Sequence, residues 1–182
     1  MTAMATIHGW TLVTSNESKW LEAQRILGFS LQRARLDLPE LQAATTREVA
    51  LDKARAAFAQ LQRPVIVEDA GLELSAFGGF PGPFIKFWEQ LGGLESICRA
   101  VDAASSRSAV AVCVLGLCDQ QGARVVEGRL EGTISVSPRG NNGFGWDTIF
   151  IPAGDDPRTF GERSAAEKDA LSHRRRAWEL LR

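Results

Sequence analysis

The 182-residue chain contains no tyrosine, two histidines and three cysteines. His8 and His173 are too few for a histidine-rich metal centre. Cys98, Cys113 and Cys118 show no metal-ligand spacing, and an interval of five on an expected strand puts Cys113 and Cys118 on opposite faces. A bound metal would fall to carboxylates, which favours Mg²⁺ or Mn²⁺ over Zn²⁺. No apolar run is long enough to span a membrane. The formal net charge of -1 supplies no general attraction for nucleic acid, so a polyphosphate would have to meet a local lysine cluster. The glycine-rich Walker pattern is missing. Residues 1–9 lack a signal-peptide layout and read as a loose leader on a cytoplasmic protein.

What is present suits one domain over residues 1–182, with room for two lobes. Hydrophobic residues make up 45%, enough for a core. Trp10–Thr14 reads as a buried strand. Asn16 caps a helix that Gly28 stops. A second strand is expected over 30–36. A helix follows over 46–61, its inward stripe carrying Leu51, Ala54, Phe58 and Leu61. Pro64–Val67 forms a strand ending at Glu68-Asp69, and residues 72–76 are expected to extend the chain again. The turn cluster Gly78–Pro83 leads into helical pieces over 84–91 and 93–101. Residues 109–118 and 123–134 form an antiparallel pair around Asp119-Gln-Gln-Gly122, residues 148–151 a further strand, and a last helix ends at Arg182. Helices alternate with strands early and strands cluster late, which predicts an α/β fold with a mixed sheet.

Several short stretches carry chemistry. Ser137–Asp147 places Phe144 and Trp146 on either side of Gly145 and ends on a carboxylate. The arrangement suits a purine slot, or a tight turn feeding a strand with two core aromatics. Lys19 falls in the first turn of a helix, where the macrodipole disfavours a cation; it is a solvated lysine or the mark of an anion site. Glu48 stands three residues after Thr45, a capping-box spacing, and is equally a metal-ligand candidate. Lys53 and Lys86 are surface lysines or phosphate contacts. Paired carboxylates Glu68-Asp69 closing an apolar strand point to a cation or a proton transfer. Ser164 and Glu167 fit a second capping box. Arg174 shares an apolar stripe with Trp178 and Leu181, so it needs an acceptor: a purine carbonyl, a phosphate, or a buried aspartate such as Asp147.

Taken together, these stretches resemble the inosine triphosphate pyrophosphatase family, in family order from about Thr11 to Leu181. They are Thr14-x-Asn16-x-x-Lys19, Val67-Glu-Asp69, Gly78-Gly-Phe-Pro-Gly-Pro-Phe-Ile-Lys86, Pro138-Arg-Gly, Phe144-Gly-Trp-Asp147, Ala166-Glu-Lys168 and Ser172-His-Arg174. The resemblance implies hydrolysis of deaminated purine nucleoside triphosphates to a monophosphate and pyrophosphate. It implies an elongated two-lobed mixed α/β fold with a cleft between the lobes, and a homodimer. Thr14, Ser15, Asn16 and Lys19 would line the triphosphate, with Lys53 and Lys86 neutralising it. Glu48 and Asp69 would hold Mg²⁺, with Mn²⁺ as a substitute, and Asp69 would accept the proton of the attacking water. Phe144, Gly145 and Trp146 would frame the base, and Asp147, Lys168, His173 and Arg174 would complete base and sugar recognition. Arg174, a pure donor, would select a 6-carbonyl over the adenine amino group. Ala70 departs from the family's usual serine or threonine, and Asp169 stands where asparagine is common. Two other readings stay open: a purine nucleotide-binding module without turnover, and a Maf-type nucleotide pyrophosphatase with another base preference.

Overall fold

A computed structural model describes residues 7–182. Six positions of the expected leader lie outside the described residues. Ile7 is already buried against Trp10 and Leu12, so the core begins before the first strand.

The first half alternates strand and helix: β1 (Thr11–Val13), α1 (Glu17–Leu27), β2 (Gln32–Ala34), α2 (Thr46–Leu61) and β3 (Val65–Leu74). Next come the two-residue β4 (Pro81–Gly82), α3 (Ile85–Gly92) and α4 (Leu94–Asp102). The second half holds β5 (Ser108–Asp119), β6 (Gly122–Ile134), β7 (Phe150–Pro152), α5 (Ala165–Asp169) and α6 (His173–Glu179). The sheet has seven strands in the order β2-β1-β3-β5-β6-β7, with β4 on β3. β1 runs parallel to β2 and β3 because a helix returns the chain each time. The remaining pairs are antiparallel, and β5 turns into β6 across Asp119↔Gly122 as expected.

One difference from the sequence reading organises the site. β3 does not stop at Glu68-Asp69 but runs ten residues through them. Its parallel neighbour stops instead: β1 pairs with β3 only as far as Val13↔Val67. Beyond that point β3 continues against β5, from Glu68↔Leu115 to Leu74↔Ala109. Glu68-Asp69 thus lies at the carboxyl edge of the parallel part, where open α/β sheets bind ligands, while the long antiparallel pairing carries the strand onward.

The core divides at the same place. Before Glu68, Ile66 packs with Leu12, Ile26, Leu115 and Trp178, and Val67 packs under α2. After Asp69, Leu72 and Leu74 join Ile85, Ile97, Trp146 and Phe150 in a separate cluster. Two cores strung along one set of long strands leave a cleft between them.

The inward stripe of α2 also differs. Thr46, Val49, Ala50, Ala54 and Ala57 are buried, while Leu51, Phe58 and Leu61 are half-buried flanks. Small residues let the helix lie almost on the sheet. At Gly116 of β5, a Cβ would stand 2.3 Å from the Ala50 carbonyl oxygen. The large side chains fill the margins instead.

Candidate active site

The cleft between the two cores encloses about 510 Å³. Its cationic end is built by the loop from β1 to α1, by α2 and by the middle of β3. Asn16 caps α1, its Oδ1 accepting from the Lys19 N–H at 3.2 Å, and the Thr14 Oγ1 accepts from the Asn16 N–H at 3.1 Å. Ser15 between them is exposed to the cleft. Capping therefore shapes the loop and aims Lys19 inward, where its Nζ reaches the Glu68 carbonyl at 3.3 Å and carboxylate at 3.5 Å. Arg33 of β2 holds the loop from behind, donating to the Thr14 carbonyl at 3.1 Å and the Ser15 carbonyl at 2.8 Å.

Asp69 is buried, and its Oδ1 accepts from the Lys53 Nζ at 2.9 Å. The same ammonium donates to Glu40 Oε1 at 2.7 Å. Burial opposes the charge on Lys53, but Asp69 and Glu40 outweigh it and hold its pKa above the ordinary lysine value. Two carboxylates thus share one cation at the cleft floor. Ala70 follows, half-buried, with no hydroxyl to offer. Lys86 extends from α3 on the facing wall and has no ion pair among the described residues.

Glu48 is not part of this group. It is exposed and completes the capping box, accepting from the Thr45 N–H at 3.2 Å and hydroxyl at 2.7 Å. Of its two sequence readings the cap is formed, and the carboxylate that shares Lys53 with Asp69 is Glu40. Glu40 follows Pro39 in a loop without periodicity, so no sequence pattern singled it out.

The other end of the cleft is aromatic. Gly145–Thr148 forms a short 3₁₀ turn rather than the start of a strand, leaving Phe144 half-buried at its mouth. Trp146 is buried deeper, packed edge-on against Phe150 and 5.2 Å from the His173 ring. It lines the cleft yet belongs to the core, so both sequence readings of this segment hold in part. Asp147 is buried and accepts from the Phe144 N–H at 2.7 Å and from Lys168 at 2.7 Å. Burial raises its pKa, with Lys168 opposing.

Lys168 stands behind the wall, 4.6 Å from the Phe144 ring centroid, and its other partner is Glu22 at 3.2 Å. Glu22, on α1, is fully buried and was missed by sequence reasoning. Its place beside Ala23 and four residues before Ile26, on the inward stripe, was the available signal. Burial pushes the Glu22 carboxyl up, but Arg174 and Lys168 outweigh it and hold the pKa below the ordinary value. Arg174 lies 2.9 Å from the same carboxylate and forms a bidentate pair with Glu68. Glu68 is held low in the same way, by Arg174 and Lys19 against burial.

Arg174 therefore finds its acceptors in Glu68 and Glu22, not in Asp147. An unbroken line of alternating charge, Lys19–Glu68–Arg174–Glu22–Lys168–Asp147, runs from the cationic end of the cleft to the aromatic end, with Lys19, Glu68, Arg174 and Asp147 in the lining and Glu22 and Lys168 behind it. His173 adjoins it with both ring nitrogens unpartnered among the described residues, and burial with the nearby Arg174 and Lys168 drives its pKa well below the ordinary value. Asp169, the milder departure, is a partner for Arg25 at 2.6 Å.

The cleft thus joins a lysine-rich end holding two carboxylates to an end with one half-open aromatic ring and fixed polar groups. This chemistry suits a polyphosphate joined to a flat heterocycle. A dITP/XTP pyrophosphatase of Methanopyrus kandleri is 41% identical to the chain over 170 residues, covering 91% of this chain and 90% of that protein. Inosine triphosphate pyrophosphatase 1 of Trypanosoma cruzi is 37% identical over 178 residues, covering 96% and 91%. The solved structure of a HAM1 protein from Coxiella burnetii superposes with a TM-score of 0.79 at 31% identity, covering 94% of this chain and 96% of that one. The Ham1 family model matches residues 10–182, nearly every described residue of both cores and the cleft between them, and the chain belongs to that family.

Proposed function

We propose that the chain hydrolyses deaminated purine nucleoside triphosphates, such as ITP, dITP and XTP, to the monophosphate and pyrophosphate. One observation carries this reading: Asp69, a buried carboxylate at the carboxyl edge of the parallel strands, sits among Lys19, Lys53 and Lys86 in a cleft whose far end is aromatic. Relatives of similar length bear these substrates in their names.

The phosphate end works by charge placement. Lys19 and Lys86 offset the polyphosphate, and the capped loop Thr14–Asn16 presents the exposed Ser15 to it. A water attacks the α-phosphorus; its oxygen forms the new bond as the α–β bridging bond breaks and pyrophosphate leaves. The Oδ2 of Asp69, without a partner among the described residues, takes the water proton while Oδ1 stays anchored on Lys53.

A divalent ion fits this floor. The Lys53 ammonium takes one oxygen each of Asp69 and Glu40 and leaves the second oxygen of each without a partner among the described residues, so two hard oxygen donors stay open to a cation. No group of three such ligands occurs among the described residues. Asp69 and Glu40 would hold it, and bound there it would neutralise phosphate charge and acidify water. Cytoplasmic residence and homodimerisation complete the proposal.

Purified protein with Mg²⁺ and ITP, followed by phosphorus NMR, tests the reaction: IMP and pyrophosphate are expected, and IDP with orthophosphate would refute it. Asp69→Asn keeps the volume but loses basicity, so kcat should fall by about 10²-fold or more with unchanged circular dichroism.

A further inference from the structure

Lys53 divides its charge between the two carboxylates that would hold a metal. Its Nζ stands 2.9 Å from Asp69 Oδ1 and 2.7 Å from Glu40 Oε1. The three groups come from different elements: Lys53 from α2, Asp69 from β3 and Glu40 from the loop between β2 and α2. Lys53 and Asp69 are shielded, with 17% and 10% of their side chains exposed, and Glu40 closes the group from the solvent side at 44%. Little water stands between the members, so their charges act strongly on one another and on any ion that joins them.

The second oxygens, Asp69 Oδ2 and Glu40 Oε2, are where a divalent ion would enter. There it would share both carboxylates with the ammonium. Lys53 already offsets one of their two negative charges, and Lys86, with no ion pair among the described residues, adds positive charge along the same cleft. The free cleft floor is therefore poorly disposed toward a further cation. A polyphosphate reverses the balance, because its several negative charges set against the lysines restore the attraction for a divalent ion. Asp37 and Glu89 also line the cleft, with no cation on them among the described residues, so any test has to separate them from the bridged pair.

We propose that Lys53 is a resident counter-ion: it keeps free divalent ions off Asp69 and Glu40, so metal binds well only alongside a polyphosphate. The inference rests on the nucleotide reading of the cleft. By linkage the coupling is reciprocal, and the metal tightens polyphosphate binding by the same factor.

The test uses Mn²⁺ alone, without nucleotide, read by electron spin resonance of the unbound ion and by calorimetry. Lys53→Met keeps an unbranched stem and removes the charge, and should bind Mn²⁺ about ten-fold or more tightly than wild type. Lys86→Met removes a cleft lysine that bridges no carboxylates, and should change the Mn²⁺ Kd by less than about three-fold. Adding Glu40→Gln to Lys53→Met should remove the gain, which places the ion on the bridged pair and not on Asp37 or Glu89. An equal Kd in wild type and Lys53→Met, an equal gain in Lys86→Met, or a gain that survives Glu40→Gln overturns the proposal.

Wild type gives a second arm that does not depend on a variant folding. Mn²⁺ and inorganic triphosphate together should raise its Tm by more than the sum of their separate effects. A pair that gives no more than that sum overturns the proposal. The two readings fail separately. If Lys53→Met gains Mn²⁺ while wild type releases no pyrophosphate from ITP, the pyrophosphatase reading fails and the counter-ion stands. If pyrophosphate is released and Mn²⁺ binding does not move, the counter-ion alone fails.

Discussion

The Arg174 guanidinium grips the Glu68 carboxylate through Nε at 2.9 and 3.0 Å and Nη2 at 2.9 Å, with both side chains buried. Its remaining nitrogen lies 2.9 Å from Glu22. An arginine held this way fixes the carboxylate next to Asp69 and ties α6 to α1 and β3. It lines the cleft while already paired with two carboxylates.

Arg174→Ala should therefore act mainly through the ion network. Removing one partner of a buried pair leaves uncompensated charge and costs about 3–5 kcal/mol. At this chain length that corresponds to a fall in Tm of roughly 10 °C. Values of kcat/KM for ITP and ATP should drop by similar factors. A selective loss on ITP, with Tm retained, would restore the base-reading role that the sequence suggested.

Glu40 and Glu48 separate by substitution. Glu40→Gln should raise the Mg²⁺ concentration for half-maximal activity by about ten-fold, as expected when one charged ligand is lost. Glu48→Gln should leave metal dependence unchanged and lower stability by about 1 kcal/mol or less, because it weakens a capping box. Activity titrations with Mg²⁺ beside thermal melts decide the matter. The reverse assignment would show in a metal shift confined to Glu48→Gln.

His173 sets an acid limit on stability. In the fold it is held neutral, its pKa far below the ordinary value of 6.5, so only the unfolded chain takes up this proton as pH falls. Stability is then unaffected well above pH 6.5 and declines below it, by about 1.4 kcal/mol at one unit lower. Glu22 and Glu68, held below 4.5 in the fold, begin to cost stability only below that pH. Between pH 7.5 and 5.5, wild type should lose several degrees of Tm, and His173→Phe should lose clearly less. Parallel slopes for the two proteins would refute the assignment.

Arg33 acts on substrate through the loop it grips. Its guanidinium donates to two successive carbonyls and lies 5.5 Å from the Trp20 ring centroid, while standing outside the cleft lining. Arg33→Ala should loosen the phosphate-facing loop and raise KM for ITP about ten-fold, with kcat within about three-fold of wild type. Arg33→Lys, a single point charge in place of a fork, should recover little. A change in kcat with KM untouched would place the effect elsewhere.

Local chemistry made much of the fold legible. Asn16 and Gly28 bound α1, Thr45 opens α2, Ser164 opens α5 and Ser172 opens α6, each through a cap readable from residues a few positions apart. The β5–β6 hairpin followed from two apolar runs around a polar turn. The run of motifs from Thr14 to Arg174 pointed to the family before any coordinate, because polyphosphate and purine chemistry needs those residue types. What stayed hidden depended on distance in the chain. That β3 passes through Glu68-Asp69 is decided by β5, more than forty residues later, which continues the ladder where β1 ends.

The sequence by itself determined the caps, the turns, the apolar stripes and the set of charged groups, all consequences of near neighbours and side-chain chemistry. Only the tertiary structure decided which charges meet. Glu22 and Glu68 take Arg174, Glu40 joins Asp69 on Lys53, and Glu48 closes its cap on Thr45. A buried charge must find an opposite partner or lose several kcal/mol to desolvation. Which partner it finds depends on how helices far apart in sequence close over one sheet.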